Sequence, residues 1–352
     1  MSAWHLQGRV LPDDADRDVY VVDRRISFTP VADATTLGTG LVLVPGLADA
    51  HAHLSLASPA GDDAPAGERV RASARAHLEA GVLAVREPGS PDRASRGLGP
   101  DAGLPRVTTA GRFLAPAGRY FPGLAREVND GELVEAALEE LAWSGGWVKL
   151  IGDSPIPGPG MTRTFSEAAV VAATRAVHAA GGRVAMHCAL PDVIQSAIEA
   201  RIDTLEHATF LQADQVPSLA AYGGSWVPTL SINEAIRGML PSTMGELIDR
   251  MPLALAAAAA AGVPILAGTD AGMGPHGRVR HEIELLARYG LTPEQALGAG
   301  SWRTRELLGL PGIAEGAPAD LVAFDTDPRD DLGVLAAPRI RVLDGTVLSP
   351  AT

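Results

Sequence analysis

Apolar and polar positions along the chain fall into two textures. Near the N-terminus, Trp4 to Val10, Val19 to Phe28 and Thr35 to Val44 alternate apolar with polar residues or run β-branched, and turn clusters such as Pro12-Asp13-Asp14 divide them. Such runs, bounded by turn formers, predict strands. The C-terminus repeats that texture over Asp320 to Phe324 and Arg339 to Leu348. Between the two ends, short apolar runs alternate with stretches of helical spacing. Eight strand candidates occur there: Gly46–Asp49, Val82–Val85, Arg106–Ala110, Trp147–Ile151, Arg183–Met186, Thr204–Leu205, Ser225–Thr229 and Pro264–Ala267. Helical patterns separate most of them, over Glu68–Glu79, Glu132–Ala142, Ser166–Ala180, Asp192–Ala200 and Met244–Ala261, and Val279–Arg288 and Pro293–Leu308 follow the last.

Repeated strand–helix units predict a parallel sheet, and eight of them predict closure into a (β/α)8 TIM barrel of the α/β class. The third unit is the weakest, because residues 111–130 read as a long Gly/Pro-rich loop. Neither β-rich end has enough strands to stand alone. Residues 1–44 and 313–352 are therefore expected to form one small discontinuous β-sandwich domain beside a barrel of residues 45–312. The length of 352 residues suits that division.

Composition narrows the function classes. A formal charge of −13 argues against nucleic-acid and anionic-membrane partners, since phosphates would be repelled. A small-molecule substrate fits better, and the oligomeric state, homo-oligomer included, stays open. Cys188 is the only cysteine, so no internal disulfide is expected and a reducing, cytoplasmic compartment fits. No apolar signal-peptide core is read in Met1 to Arg9. The apolar run Leu253 to Val263 is too short to cross a bilayer and reads as an Ala-rich buried helix.

The chemistry lies at the strand ends, where barrels of this kind place their active sites. His51 and His53 directly follow the first strand candidate, and two residues apart on an extended chain their side chains point the same way. Lys149 sits near the end of the fourth candidate, His187 closes the fifth, His207 the sixth, and Asp270 follows the eighth. A lone His-x-His is a weak signal, and a lone lysine is ordinarily a solvated surface group. All six at the same end of the right strands predict a metal site.

The stretch Pro45-Gly46-Leu47-Ala48-Asp49-Ala50-His51-Ala52-His53-Leu54 resembles the signature of the metal-dependent amidohydrolase superfamily. Leu205-Glu206-His207-Ala208 resembles that family's sixth strand, Gly268-Thr269-Asp270-Ala271-Gly272 its last, and Glu315 to Val322 the segment that re-enters the small β domain. The resemblance spans essentially the whole chain and is closest to the imidazolonepropionase-like and Xaa-Pro dipeptidase-like branch. It implies two divalent metal ions: one held by His51, His53 and Asp270, a second by His187 and His207. Lys149 would bridge them as an N-carboxylated lysine. Imidazole and carboxylate ligands suit Zn²⁺, with Mn²⁺, Co²⁺ and Fe²⁺ compatible by ligand type. The implied reaction is hydrolysis of an amide or related bond by a metal-activated hydroxide, with Asp270 taking the water's proton and delivering it to the leaving amine.

Other residues carry less. Arg86-Glu87 reads as a structural ion pair at the barrel rim or, alternatively, as a substrate contact. Arg119 and Tyr120, in the loop after the third strand, offer a fork and a phenol for a substrate carboxylate or carbonyl, or pack as a surface loop. Related enzymes often have a Gly- and His-containing loop there, and this one has no His. His276 and His281 follow the eighth strand and are candidate substrate contacts. His77, His178 and Cys188 read as ordinary packing or surface residues. Beside a binuclear amide hydrolase stand three alternatives: a mononuclear deaminase or imidazolone-type cyclic amide hydrolase, a lactonase or esterase on the same binuclear site, and a non-catalytic scaffold. Lys149 favours the binuclear reading, because mononuclear members need no bridging group.

Overall fold

A computed structural model of the chain describes residues 3–156, 160–239, 245 and 248–348. The N-terminal strands are β1 (Trp4–Val10), β2 (Ala15–Val22), β3 (Arg25–Ser27) and β4 (Thr35–Pro45). The expected single strand from Val19 to Phe28 is broken. Asp23 and Arg24 adopt φ of 48° and 70°, so the chain reverses and β2 pairs antiparallel with β3. Two successive left-handed residues make the turn whose twist suits a hairpin.

The central passes are β5 (Leu47–Asp49), β6 (Val82–Glu87), β7 (Arg106–Thr109), β8 (Phe113–Ala115), β9 (Ala125–Glu127), β10 (Trp147–Ile151), a hairpin of β11 (Asp153–Ile156) and β12 (Gly160–Arg163), then β13 (Arg183–Cys188), β14 (Thr204–His207) and β15 (Ser225–Val227). β5-β6-β7 form one parallel ribbon and β15-β14-β13-β10-β8-β9 another. The third pass bends at Gly111: β7 pairs with β6, and β8 with β10. Ser90 N donates to Gly111 O at 2.9 Å across the bend. The eighth pass, residues 264–270, is not a regular strand, yet it closes the barrel. Leu266 N donates to Trp226 O at 2.9 Å on one side, and Ala50 N donates to Ala267 O at 2.8 Å on the other.

The C-terminal strands β16 (Leu321–Phe324), β17 (Ile340–Leu343) and β18 (Thr346–Leu348) join the N-terminal ones in a single seven-stranded sheet, ordered β18-β17-β16-β4-β1-β2-β3. Alternate residues such as Leu6, Val19, Leu43, Leu321 and Val342 pack into a core separate from the barrel's. The sheet therefore buries its apolar face in a core of its own. β4 runs on into β5 through Gly46, so the terminal sheet leads directly into the first barrel pass.

Helices Ala66–Glu79, Leu133–Ser144, Glu167–Ala179, Pro191–Glu199 and Val279–Arg288 follow the periodicity closely. Pro293–Leu308 divides into Pro293–Ala299 and Trp302–Leu307, because Ser301 leaves helical geometry and its hydroxyl donates to Pro45 O at 2.6 Å. Of the expected helix Met244–Ala261, Met244 lies outside the described residues and Met251–Ala260 is helical. It is buried on one face only: Leu255 is fully buried, whereas Leu253 is 70% exposed. Helices Val216–Tyr222 and Leu230–Ile236 are too short to show in the periodicity. The second is anchored by Glu282, whose carboxylate accepts from Leu230 N and Ser231 N at 2.7 and 2.8 Å. A carboxylate at a helix N-terminus satisfies donors that have no partner within the helix. Among the described residues, no helix is long and apolar enough to cross a membrane.

Candidate metal centre

His51 and His53 leave β5 where Asp49 pins the chain. The Asp49 carboxylate accepts from His51 N at 3.0 Å and from Thr269 N and Oγ1 at 3.1 and 2.6 Å, locking the first pass to the eighth. His51 Nδ1 donates to Glu206 Oε2 at 2.6 Å, and His53 Nδ1 donates to Gly89 O at 2.8 Å. A neutral imidazole that donates from Nδ1 carries a bare lone pair on Nε2. The two Nε2 atoms lie 3.2 Å apart, and Asp270 Oδ1 lies 3.3 Å from one and 3.2 Å from the other. Buried acceptors at such distances repel one another unless a proton or a metal cation sits among them. Burial works to lower the His51 pKa, but the Glu206 and Asp270 carboxylates together hold His51 above the ordinary imidazole value, so this point favours positive charge. Burial works to raise Asp270, but the facing His51 and His53 rings hold it well below the ordinary carboxylate range.

Backbone strain collects at the same end of the barrel. His207, Thr229 and Asp270 adopt φ of 64°, 47° and 52°. A residue other than Gly pays about 1 kcal/mol or more for the left-handed region, and such strain gathers where side chains must be aimed. Each is tied down. Trp226 Nε1 donates to His207 O at 2.7 Å, His207 Nδ1 meets Thr229 Oγ1 at 2.7 Å, and Asp270 N donates to His51 O at 2.8 Å. The His207 ring lies 4.6 Å from that of His187 and 5.0 Å from that of His51, centroid to centroid. His207 also brings a nitrogen within 4.8 Å of ligand atoms on His51 and Asp270, so the two expected ligand sets adjoin. His187 turns Nε2 toward Asp153 Oδ1 at 3.6 Å, leaving Nδ1 as its other ring nitrogen.

Lys149 is the chain's only lysine. It faces the same cleft as the histidines, is 1% exposed, and its Nζ has no hydrogen-bond partner among the described residues. Burial pushes its amine down to about 8. Gly89 makes room beside it: a Cβ there would stand 2.7 Å from the Phe113 ring and 3.2 Å from Lys149 Cγ.

The strand interior supplies supports that the sequence reading did not assign. Arg86 and Glu87 form no pair at the rim; both are fully buried and face different partners. Arg86 donates to Ala50 O, Thr204 Oγ1 and Glu206 Oε1 at 2.7, 2.9 and 2.7 Å, and lies over the Trp147 ring. The chain Arg86–Glu206–His51 fixes the His51 tautomer, as outer carboxylates do for ligating imidazoles. The local signal for Glu206 was its place beside His207 on the strand; its partners lie 155 and 120 residues away and leave no local trace. Glu87 accepts from Leu54 N at 2.8 Å and from the Ser95 hydroxyl. Burial raises its pKa to about 8. Because an unfolded glutamate titrates near pH ~4.3, the folded chain holds this proton more tightly, and the stabilisation is lost as pH rises from about 4.3 to 8. Glu87→Gln keeps one acceptor and one donor without the titration. Its melting temperature is expected to match the wild type's near pH 5 and to exceed it by several degrees near pH 9, read by thermal denaturation. A difference independent of pH would refute the assignment.

Above the histidines opens a cleft of about 230 Å³ with mostly apolar walls. Tyr120 lines it beside Phe121 and Leu124. Burial holds its phenol above the ordinary tyrosine range, so it stays a neutral donor. Arg119 does not face the cleft: its Nη2 donates to Thr162 Oγ1 and to the Arg163 carbonyl. His276 is also turned away. Its Nε2 donates to Leu56 O at 2.9 Å, and its Nδ1 lies 3.3 Å from Nε2 of the buried His77. His281 borders an adjoining cleft with Arg278. His178 pairs with Asp203 at the surface, and Cys188 is buried. A wider groove of about 570 Å³ lies at the opposite end, among Arg183, Asp203, Ser225 and Pro264 at the strand starts, and holds none of the strand-end histidines.

Comparison with known proteins agrees with this architecture. The amidohydrolase family profile matches residues 42–348. An uncharacterised protein of Mycobacterium tuberculosis is 38% identical over 358 residues, covering 98% of this chain and 96% of its own. A solved Xaa-Pro dipeptidase with methionine bound in its active site superposes with a TM-score of 0.84 at 22% identity, over 99% of this chain and 100% of that one. An A. niger ochratoxinase superposes with a TM-score of 0.82 at 21% identity, over 98% and 95%. At such identities the structural likeness speaks for the fold alone. With a barrel, an adjoining terminal sheet and a profile match across most of its length, the chain belongs to the amidohydrolase family.

Proposed function

We propose that the chain is a binuclear metal-dependent hydrolase that cleaves an amide or peptide-like carbon–nitrogen bond of a small molecule, with Asp270 carrying the proton. The observation behind this reading is the meeting of His51 Nε2, His53 Nε2 and an Asp270 carboxylate oxygen within 3.3 Å, an arrangement a metal cation would stabilise. His51, His53 and Asp270 would hold one ion, and His187 and His207 the second. Lys149 would bridge them as a carbamate, formed when its amine adds carbon dioxide and releases a proton. A dry, unpartnered amine near neutral pKa is suited to that addition. It also favours the binuclear reading over the mononuclear one. Zinc suits the donor set.

When bound, the ions lower the pKa of a water and polarise the scissile carbonyl. Asp270 is strongly acidic and 7% exposed, at the floor of the cleft. It would take the water's proton and pass it to the leaving nitrogen. Tyr120 would donate a hydrogen bond from its phenolic O–H to the oxygen on which charge develops. Arg86 and Glu206 would keep His51 Nε2 aimed at its ion, and the apolar walls would keep bulk water out.

Metal analysis tests the reading. The purified protein is expected to carry two molar equivalents of divalent metal. Chelation is expected to lower hydrolysis of the best substrate among N-acyl amino acids, Xaa-Pro dipeptides, lactones and cyclic imides by about 100-fold or more, and added Zn²⁺ to restore it. Protein that binds no metal, or whose activity survives chelation, refutes it.

A further inference from the structure

The mouth of the cleft is built from Phe121, Leu124, Met161, Ile232, Ile236 and Met273. Phe121 and Met273 stay 45% and 50% exposed although both are large and apolar. Exposed apolar side chains around a polar floor mark a place where something apolar is covered.

Cationic groups are missing from that wall. Among the described residues, no arginine lines the cleft, and its one lysine is Lys149 on the floor. Arg119, the candidate fork, is not among the residues lining the cleft: its Nη2 donates to the Thr162 hydroxyl and the Arg163 carbonyl, and its Nε is buried with no partner among the described residues. Arg163 in turn donates to Ser196 Oγ and Asp192 at 2.9 Å. The described neighbour Arg237 is bound to Asp249. Segments 157–159, 240–244 and 246–247 contain no Lys or Arg in the sequence. The polar side chain Asn233 is already used on both atoms: it donates to Pro228 O at 2.9 Å and accepts from Thr209 Oγ1 at 3.2 Å. Arg278, in the adjoining cleft beyond Ile232 and Met273, has no ion-pair partner among the described residues.

A carboxylate seated against this wall would lose its water and gain no cationic partner, so its desolvation would go largely unrepaid. A free dipeptide or N-acyl amino acid presents such a group beside the scissile bond. We infer that the cleft selects uncharged, apolar substrates: amides or carbamates whose groups on both sides of the C–N bond are hydrocarbon or aromatic. This inference rests on the hydrolase reading above and narrows it to a substrate class.

The test uses the Zn²⁺-loaded full chain and three probes: 3-phenylpropionanilide, the same anilide with a para-carboxylate, and methionyl-proline. Binding is measured by isothermal titration and cleavage by amine release. The neutral anilide is expected to bind about 100-fold more tightly than either charged probe. Equal or tighter binding of a charged probe overturns the inference, as does binding by none of the three. A neutral anilide that binds tightly and is never cleaved supports the inference and counts against the hydrolase reading; cleavage led by a charged probe does the reverse. Phe121→Arg, at an exposed rim position, is expected to shrink the preference to about 10-fold or less by offering the missing partner. An unchanged ratio overturns the assignment of the wall. Arg278→Ala is expected to leave the ratio unaltered; a changed ratio would show that a carboxylate reaches the adjoining cleft and would also overturn it.

Discussion

Asp270→Asn is expected to lower kcat about 10³-fold, in the upper part of the range for loss of a positioned acid–base group. The amide matches the carboxylate in size, so the left-handed backbone at φ 52° and its hydrogen bond to His51 O can persist. What disappears is a base. Asparagine still offers an oxygen toward His51 and His53, but it cannot accept a proton near neutral pH. Removal of an interaction made only in the transition state lowers kcat and kcat/KM together while KM stays near its original value. Metal content measured on the same preparation separates a lost ligand from a lost base. Activity within tenfold of wild type would remove Asp270 from the role of proton carrier.

Lys149→Ala is expected to cost on the order of 10³-fold or more in kcat, with loss of at least one metal equivalent. Removing the side chain leaves an enclosed space on the cleft floor beside Phe113 and Gly89. Short carboxylic acids such as propionate fit a space of that kind and supply the missing charge, so adding them at high concentration is expected to restore part of the activity. Lys149→Met, similar in length but without charge, distinguishes chemistry from packing: it is expected to keep the melting temperature and still lose metal. Full metal content in both variants would show that Lys149 is no ligand.

The sequence exposes some parts of this molecule and hides others. The fourth pass is readable to the residue, because Trp147 to Ile151 is a compact apolar run with a single polar interruption at Lys149. The strand-end histidines are readable because barrels place chemistry at one end. The hairpin at Asp23-Arg24 is hidden, since neither residue is a glycine and the apolar alternation continues through it. Arg86 is hidden more deeply. Its neighbour in sequence is Glu87, but its partner is Glu206, brought close only by closure of the barrel. Arg119 and His276 are candidates by position, and their side chains turn to other partners. Direction depends on nearby carbonyls, here Arg163 O and Leu56 O, that no local pattern reveals. His207, by contrast, lies beside His51 and His187 beside His207, because strand order alone decides which ends adjoin.

One basic residue type is nearly missing from the chain. Apart from histidine, every basic side chain other than Lys149 is an arginine. Protein grown on isotopically labelled lysine would therefore give one side-chain resonance, free of overlap, and that resonance would report on the centre itself. Its shift would respond to carbon dioxide, to each metal equivalent and to an occupied cleft, so the site can be followed spectroscopically before any substrate is known. Amine-reactive reagents likewise find no surface lysine, so any lysine modification of this barrel would report on its floor.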